Sequence, residues 1–196
     1  TDGSGTDTVE TSITLSLADT AKVKGSVENL TLTGTLAING TGNSLNNTII
    51  GNSGSNKLNG GSGHDTLVGG GSRDTLLGGG GSDTLSGGTG VDRMTGGAGA
   101  DQFVFSSVAE TRGDVITDFT PGQDKIDFSS LDAVTGGSDD AFTFTGLDGI
   151  DAAGDLSYRH TTRQTIIEAD VDGDGVVDFM LKLTGIHTLT EADFIL

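Results

Sequence analysis

The chain has no cysteine and no tryptophan, one proline, one tyrosine and only 10 basic side chains in 196 residues. Without cysteine, disulfide staples and thiol chemistry are excluded. Ten Lys and Arg against 28 Asp and Glu leave a formal charge of −18. That balance argues against nucleic acid, whose phosphates need clustered cations, and against simple adsorption to anionic lipid. No apolar run is long enough to span a bilayer, and no basic-then-apolar leader opens the sequence. Thr1 falls inside patterned sequence, which implies a longer parent chain with an upstream catalytic or adhesive domain. All eight Phe stand at or after Phe103, and the tyrosine is Tyr158. The first half therefore lacks a bulky core, whereas the second half can build one.

Glycine is abundant, with 34 residues, and it is placed periodically. Between Gly42 and Val104 a nine-residue unit runs seven times without insertion. It is clearest in GGSGHDTLV (60–68), GGGGSDTLS (78–86), GGTGVDRMT (87–95) and GGAGADQFV (96–104). Position 6 is Asn47 and Asn56 in the first two copies, then Asp65, Asp74, Asp83, Asp92 and Asp101. Position 8 is always apolar, from Ile49 and Leu58 through Met94 and Phe103. A flexible glycine-rich linker has no reason to hold an acid at every ninth residue with an apolar side chain two places later.

Six turn-like positions followed by three strand-like ones make half of a flattened coil, so two nonapeptides close one turn. Equivalent loops then stack about 4.8 Å apart. Calcium takes oxygen ligands at about 2.3–2.6 Å, so an ion midway between loops reaches both. The spacing pairs each repeat with the one two further on: Asp65 with Asp83, Asp74 with Asp92, Asp83 with Asp101, and, more weakly, Asn56 with Asp74 and Asn47 with Asp65. Backbone oxygens at positions 1 and 3 complete the candidate set: Gly60 and Ser62, Gly69 and Gly71, Gly78 and Gly80, Gly87 and Thr89, Gly96 and Ala98. Two carboxylates about 5 Å apart repel by roughly 3 kcal/mol at an effective dielectric of 20, so the roll should resist forming without the ion. Ser72 replaces glycine at position 4 and is expected to distort its loop.

The nonapeptide resembles the calcium-binding repeat of RTX proteins. That resemblance implies an all-β fold, a parallel β-roll holding several calcium ions. Three segments follow. Residues 1–41 alternate like strands (TDTVETSITLSL, VENLTLTG) and read as an uncalcified coil continuing the solenoid. Residues 42–104 form the roll. Residues 105–196, with apolar stretches FVF, DVITDF, DKIDF, AFTF, TIIEAD and VVDFMLKL, read as an antiparallel β cap. The run GAGADQFVFSSVAETRGDVITDFTPGQDKIDFSSLDA, continued through DVDGDGVVDF to the terminal DFIL, resembles the C-terminal domain of serralysin-type secreted metalloproteases. The resemblance implies a bacterial extracellular protein that leaves the cell unfolded through a type I ABC exporter, with DFIL as export signal.

Outside the repeats, Asp170-Val171-Asp172-Gly173-Asp174-Gly175 with Asp178 has the alternation of a calcium loop, but Leu181 stands where a closing Glu is required. It is a further calcium hairpin or an acidic turn. Asp114 and Asp118 either finish the last open site or are ordinary strand-end acids. Asp124 and Asp127 are expected to flank a turn. The three histidines, His64, His160 and His187, form no HExxH motif, and no GxSxG elbow is present. The chain is thus expected to be the non-catalytic part of a larger protein: a folding and secretion module, with an adhesion module or the repeat module of a polysaccharide-modifying enzyme such as an alginate epimerase as alternatives.

Overall fold

A computed structural model describes residues 5–134, 140–147 and 149–196. Strands begin with β1 (Thr8–Thr11), β2 (Leu15–Ser16), β3 (Asn29–Leu32), β4 (Gly40–Thr41) and β5 (Thr48–Ile50). The repeats continue with β6 (Lys57–Ser62), β7 (Thr66–Gly71), β8 (Thr75–Gly80), β9 (Thr84–Thr89), β10 (Arg93–Ala98) and β11 (Gln102–Val104). Then follow β12 (Val115–Ile116), β13 (Lys125–Asp127), β14 (Thr143–Gly146), β15 (Asp155–His160), β16 (Gln164–Ala169), β17 (Phe179–Thr184) and β18 (Phe194–Ile195).

Through the repeats, successive strands alternate between two sheets, so two nonapeptides make one coil of a parallel solenoid of about 6 turns. Register follows the repeat: Leu67 lies beside Leu85 in one sheet and Leu76 beside Met94 in the other. A strand turns alternate side chains to opposite faces. Position 8 therefore points inward, and Ile49, Leu58, Leu67, Leu76, Leu85, Met94 and Phe103 are fully buried. Positions 7 and 9 point outward.

One sheet runs β1-β3-β5-β7-β9-β11-β13-β18 and the other β14-β15-β16-β17-β12-β10-β8-β6-β4-β2. The antiparallel part of the C-terminal segment is the β15–β16–β17 meander. Around it, β12, β13 and β18 keep the parallel pairing of the roll. The reason is local: Asp114-Val115-Ile116 and Asp124-Lys125-Ile126 repeat the Asp-x-apolar junction of the nonapeptides, so they stack on it. A short helix, α1 (Val108–Thr111), stands in the connection after β11. In the VVDFMLKL stretch the strand begins only at Phe179, leaving Val176 and Val177 exposed in a turn. The core widens here, with Phe128 packed on Phe105, Phe142, Phe179 and Phe194.

In the five Asp-bearing copies position 4 takes a positive φ, whereas Leu45 and Gly54 in the first two do not. Gly81 has φ 125°, and a Cβ there would overlap the Gly63 carbonyl oxygen one coil away. Ser72 adopts the same hand, at φ 72°, and its hydroxyl donates to the Ser53 carbonyl at 2.9 Å. The expected distortion is absent: β7 and β8 keep the length and register of their neighbours, so strain is confined to one residue.

Gly81→Ala should cost at least about 3 kcal/mol, because the new methyl meets rigid backbone. Gly122 also has positive φ, 78°, but open space at its Cβ position, so Gly122→Ala should cost only about 1 kcal/mol. Urea unfolding of the two variants in millimolar calcium checks the contrast, and equal losses would contradict it.

Candidate metal centre

Each position-6 acid sits at the turn-to-strand junction, and its side chain folds under the strand of the coil before it. One carboxylate oxygen of each accepts a backbone N–H eighteen residues earlier. Along one edge, Asn47, Asp65 and Asp83 N–H donate to Asp65, Asp83 and Asp101 Oδ1 at 2.7, 2.8 and 2.9 Å. Along the other, Asn56 and Asp74 N–H donate to Asp74 and Asp92 Oδ1, both at 2.7 Å. The ladder then leaves the repeats. Asp92 N–H donates to Asp114 at 2.7 Å, and Asp101 N–H to Asp124 at 3.0 Å.

The second oxygen of these acids decides the chemistry. Oδ2 of Asp65, Asp74, Asp83, Asp92, Asp101 and Asp114 is buried without any hydrogen-bond partner. Leaving a buried charge-bearing atom unmatched is costly. Beside it, the position-1 glycine keeps the space open: a Cβ on Gly69 would lie 2.5 Å from both Asp74 Oδ2 and the Gly87 carbonyl oxygen. The same oxygen pair, Asp and the position-1 carbonyl one coil on, flanks Gly60 and Gly78. Unmatched carboxylate oxygens facing an open cradle with backbone carbonyls form a donor set for a hard cation.

Burial is the main force on these groups, and it outweighs the backbone N–H bonds that favour the charged form. It raises Asp65 and Asp101 to about 6, with nearby carboxylates adding to the effect. Asp74 and Asp114 rise to about 7 for the same reasons. Asp83, Asp92 and Asp124 shift in the same direction, again first through burial.

The other candidates are placed differently. Oδ1 of Asn47 and Asn56 shares a cradle with the Gly60 and Gly69 carbonyls, as in the Asp copies, but is neutral and already hydrogen-bonded. Asn47 Oδ1 accepts Asn43 N–H and its Nδ2 reaches the Glu28 carbonyl, while Asn56 Nδ2 reaches the Ile38 carbonyl. Asp118 stands beside the Asp101 cradle, its two oxygens accepting N–H from Gly96 and Gly97 at 3.0 and 2.8 Å and its charge adding to the burial-driven rise of Asp101 and Asp124. Among position-3 residues, the Gly80 and Ala98 carbonyls accept Gly63 and Gly81 N–H, whereas Ser62, Gly71 and Thr89 lie at strand ends.

Asp124 flanks a turn as expected, one oxygen accepting Thr120 N–H at 2.8 Å, but it is also buried in the ladder, a role the expectation did not include. The Asp-x-apolar triplet was the signal for it. The N-terminal coil also takes part: Asp7 N–H donates to Glu28 Oε2 at 2.9 Å, and Asp7 Oδ2 is buried and unpartnered. Asp7-Thr8-Val9 matches the Asp-Thr-Leu of the repeats, a signal outside the nine-residue register.

Asp170, Asp172 and Asp174 each bring an oxygen within 4.8 Å of the others. Asp170 is buried and accepts Gly173 and Gly175 N–H at 2.7 and 2.8 Å. Burial raises its pKa, but the amides of Gly175, Gly173, Asp172 and Asp174 outweigh that and lower it on balance. For Asp172 the Asp174 amide lowers the pKa, yet desolvation and the charges of Asp174, Asp178 and Asp170 leave it raised. Asp178 instead accepts Val171 N–H at 2.7 Å.

The sequence model of the peptidase M10 serralysin C-terminal family matches residues 2–196. No curated protein matches the chain. Among solved structures it is similar to the AlgE6R3 subunit of the Azotobacter vinelandii mannuronan C5-epimerase, at 24% identity over 84% of this chain and 80% of that one, with TM-score 0.44. It is also similar to the AlgE6R2 subunit of the Azotobacter vinelandii mannuronan C5-epimerase, at 30% identity over 81% and 91%, with TM-score 0.42.

The raised carboxyls set a pH dependence. In the folded metal-free chain they hold protons to about pH 6–7, whereas unfolded carboxyls release them near about pH 4. Between those limits the folded state binds more protons, so metal-free stability falls as pH rises. The circular dichroism of EGTA-treated protein should show more β structure at about pH 5 than at about pH 7.5; the reverse order would refute it.

Proposed function

The chain belongs to the peptidase M10 serralysin C-terminal family, and on that premise we propose that it is a calcium-dependent folding and type I secretion module of a bacterial extracellular protein. The observation that carries the reading is the double row of buried, unpartnered Asp oxygens. Asp65, Asp74, Asp83, Asp92, Asp101 and Asp114, with the position-1 glycine carbonyls, would hold the ions. Asp170, Asp172 and Asp174 are a separate candidate hairpin site. Calcium, when bound, supplies the positive charge these carboxylates lack.

The interior of the roll is one apolar column per sheet. Such a column does little to offset the ordering of so much glycine, so binding and folding are coupled. Extracellular calcium modules work at about 10⁻⁴–10⁻³ M. At the lower cytosolic level the carboxylates repel and the chain stays open, the state in which a type I ABC exporter would thread it. Outside the cell it folds and carries an upstream catalytic domain, a serralysin-like metalloprotease or another secreted hydrolase, while itself remaining non-catalytic. Among the described residues no helix is long and apolar enough to cross a membrane.

The candidate export signal is Asp193-Phe194-Ile195-Leu196. In the folded state Phe194 is buried against Phe128 and Phe144, and β18 pairs with β13. The exporter would therefore read this segment before folding, and the cap would bury it afterwards. Deleting Phe194–Leu196 removes both roles.

EGTA should abolish most of the β signal at neutral pH, and millimolar calcium should restore it cooperatively; unchanged spectra would sink the proposal. Asp83→Asn should split the two effects. It removes one buried charge, raising metal-free stability, but it weakens two adjacent sites, so the calcium midpoint should rise by roughly tenfold, about 1.4 kcal/mol. A lower midpoint would contradict the ladder. Phe194→Ala should lower calcium-loaded stability by about 3 kcal/mol and, separately, reduce export through a matched exporter; export at the full rate would place the signal elsewhere.

A further inference from the structure

Asp193, the acid of the terminal Asp-Phe-Ile-Leu segment, is buried by the fold. Its Oδ2 accepts the Thr190 N–H at 2.7 Å and the Thr190 hydroxyl at 3.1 Å, closing the short Glu191–Asp193 turn on itself. Its Oδ1 reaches much further and accepts the Gly122 N–H at 2.6 Å, across 71 residues. The Lys125 ammonium adds a second tie, to the Ala192 carbonyl. Beyond it the Phe128 N–H donates to the Ile195 carbonyl at 2.9 Å, and Ile126 and Asp127 pair with Phe194 and Ile195. β18 is the last strand of its sheet, beside β13, so the backbone of the tail docks on residues 122–128.

The same stretch closes one acid ladder. The Asp101 N–H donates to Asp124 Oδ1 at 3.0 Å, and the Lys125 N–H returns a bond to the Asp101 carbonyl at 2.8 Å. Asp124 Oδ2 accepts the Thr120 N–H at 2.8 Å, and the Asp124 N–H donates to the Thr120 carbonyl at 2.9 Å. This acid therefore fixes the turn that presents Gly122. Asp101 Oδ2 beside it is buried and unpartnered, and Asp118 stands at the same cradle. Burial chiefly opposes the charged form of Asp101, and the charges of Asp124, Asp83 and Asp118 add to that opposition. Stacking residues 118–128 on the roll thus gathers like charge, which a cation at Asp101 offsets. A buried carboxylate holds firmly where its hydrogen bonds are made and is costly where they are not, so Asp193 can be buried only where Gly122 is presented.

We propose that Asp193 is a latch that couples the cation site at Asp101 to the C-terminal segment: filling the site fixes the Thr120–Asp124 turn, the turn offers the Gly122 N–H to Asp193, and Phe194–Leu196 are withdrawn from solvent. The inference rests on the calcium reading above. It gives the acid of the terminal segment a task in the folded chain, separate from any reading by an exporter. In the open chain the segment is displayed, and in the loaded chain it is locked. The coupling is reciprocal, so a cation that favours the docked tail is itself held more tightly when the tail is docked. Asparagine at this place would keep one acceptor but turn an N–H toward the Thr190 N–H and hydroxyl, so the latch needs the carboxylate. Packing of Phe194 alone, without the latch, would make residue 193 indifferent to that change.

The test uses the full chain in millimolar calcium. Carboxypeptidase Y digestion followed by mass spectrometry reports exposure of the tail, and circular dichroism reports the roll. Asp193→Asn should lose Phe194–Leu196 at least about tenfold faster than wild type, with an unchanged spectrum. Lys125→Met removes one tie but keeps the stem; it should give a smaller increase, and it carries the test if Asp193→Asn does not fold. Asp101→Asn should speed cleavage more than Asp65→Asn, which lies on the same edge two coils earlier. Combined with Asp193→Asn, the Asp101→Asn effect should be non-additive and the Asp65→Asn effect additive. By reciprocity, Asp193→Asn should raise the calcium midpoint of the spectrum by at least about fivefold. Wild-type cleavage rates in Asp193→Asn, additivity with Asp101→Asn, or an unchanged midpoint would overturn the latch. Failure of the calcium reading would appear instead as a wild-type spectrum that ignores calcium.

Discussion

Six carboxylates are buried with one oxygen bonded to the backbone of the neighbouring coil and the other bonded to nothing, and the rest of the molecule is arranged around that imbalance. A carboxylate can be taken out of water only if something opposes its charge. The backbone opposes half of it. For Asp65, Asp74 and Asp83 the other half faces an opening kept clear by a position-1 glycine and edged by a carbonyl oxygen, and for Asp92 and Asp101 a position-1 glycine likewise stands beside it. Where the sequence has Asn47 or Asn56, Oδ1 stands beside the position-1 glycine but accepts the Asn43 or Asn52 N–H, and Nδ2 donates to a carbonyl of the preceding coil. The amide thus satisfies both of its atoms without a cation, whereas the Asp side chains leave one oxygen unmatched.

The ends of the roll follow from the same junction. The nonapeptides alone would leave Asp92 and Asp101 N–H without acceptors. Asp114 and Asp124 supply them, at separations of 22 and 23 residues rather than 18. The longer excursions accommodate α1 and the Thr120–Gln123 turn without breaking the stack. Past that point the thin aliphatic column gives way to the Phe105, Phe128, Phe142, Phe179 and Phe194 cluster, a core large enough to close one end of the solenoid.

Burial redistributes the charge without reversing it. Among the described residues, nine of the 28 acids are buried, seven of them in the ladders, and the other 19 still outnumber the ten basic side chains. A sum over residues does not express that segregation, because burial decides which charges a partner meets.

The period of nine, the acid at position 6 and the apolar residue at position 8 were legible in the sequence, and they determined the alternation of strands between two sheets, the register and the inward column. A repeat with one shape and one pattern can stack in only one way if both are to be kept. Tertiary structure decided what has no period. It recruited Asp114, Asp124, Glu28 and Asp7 into the ladders, held Ser72 in a glycine's conformation, and buried the terminal Phe194. It also set the Asp193 carboxylate on Gly122, 71 residues away along the chain. Contacts between residues far apart depend on how the intervening chain folds, and no local pattern carries that information.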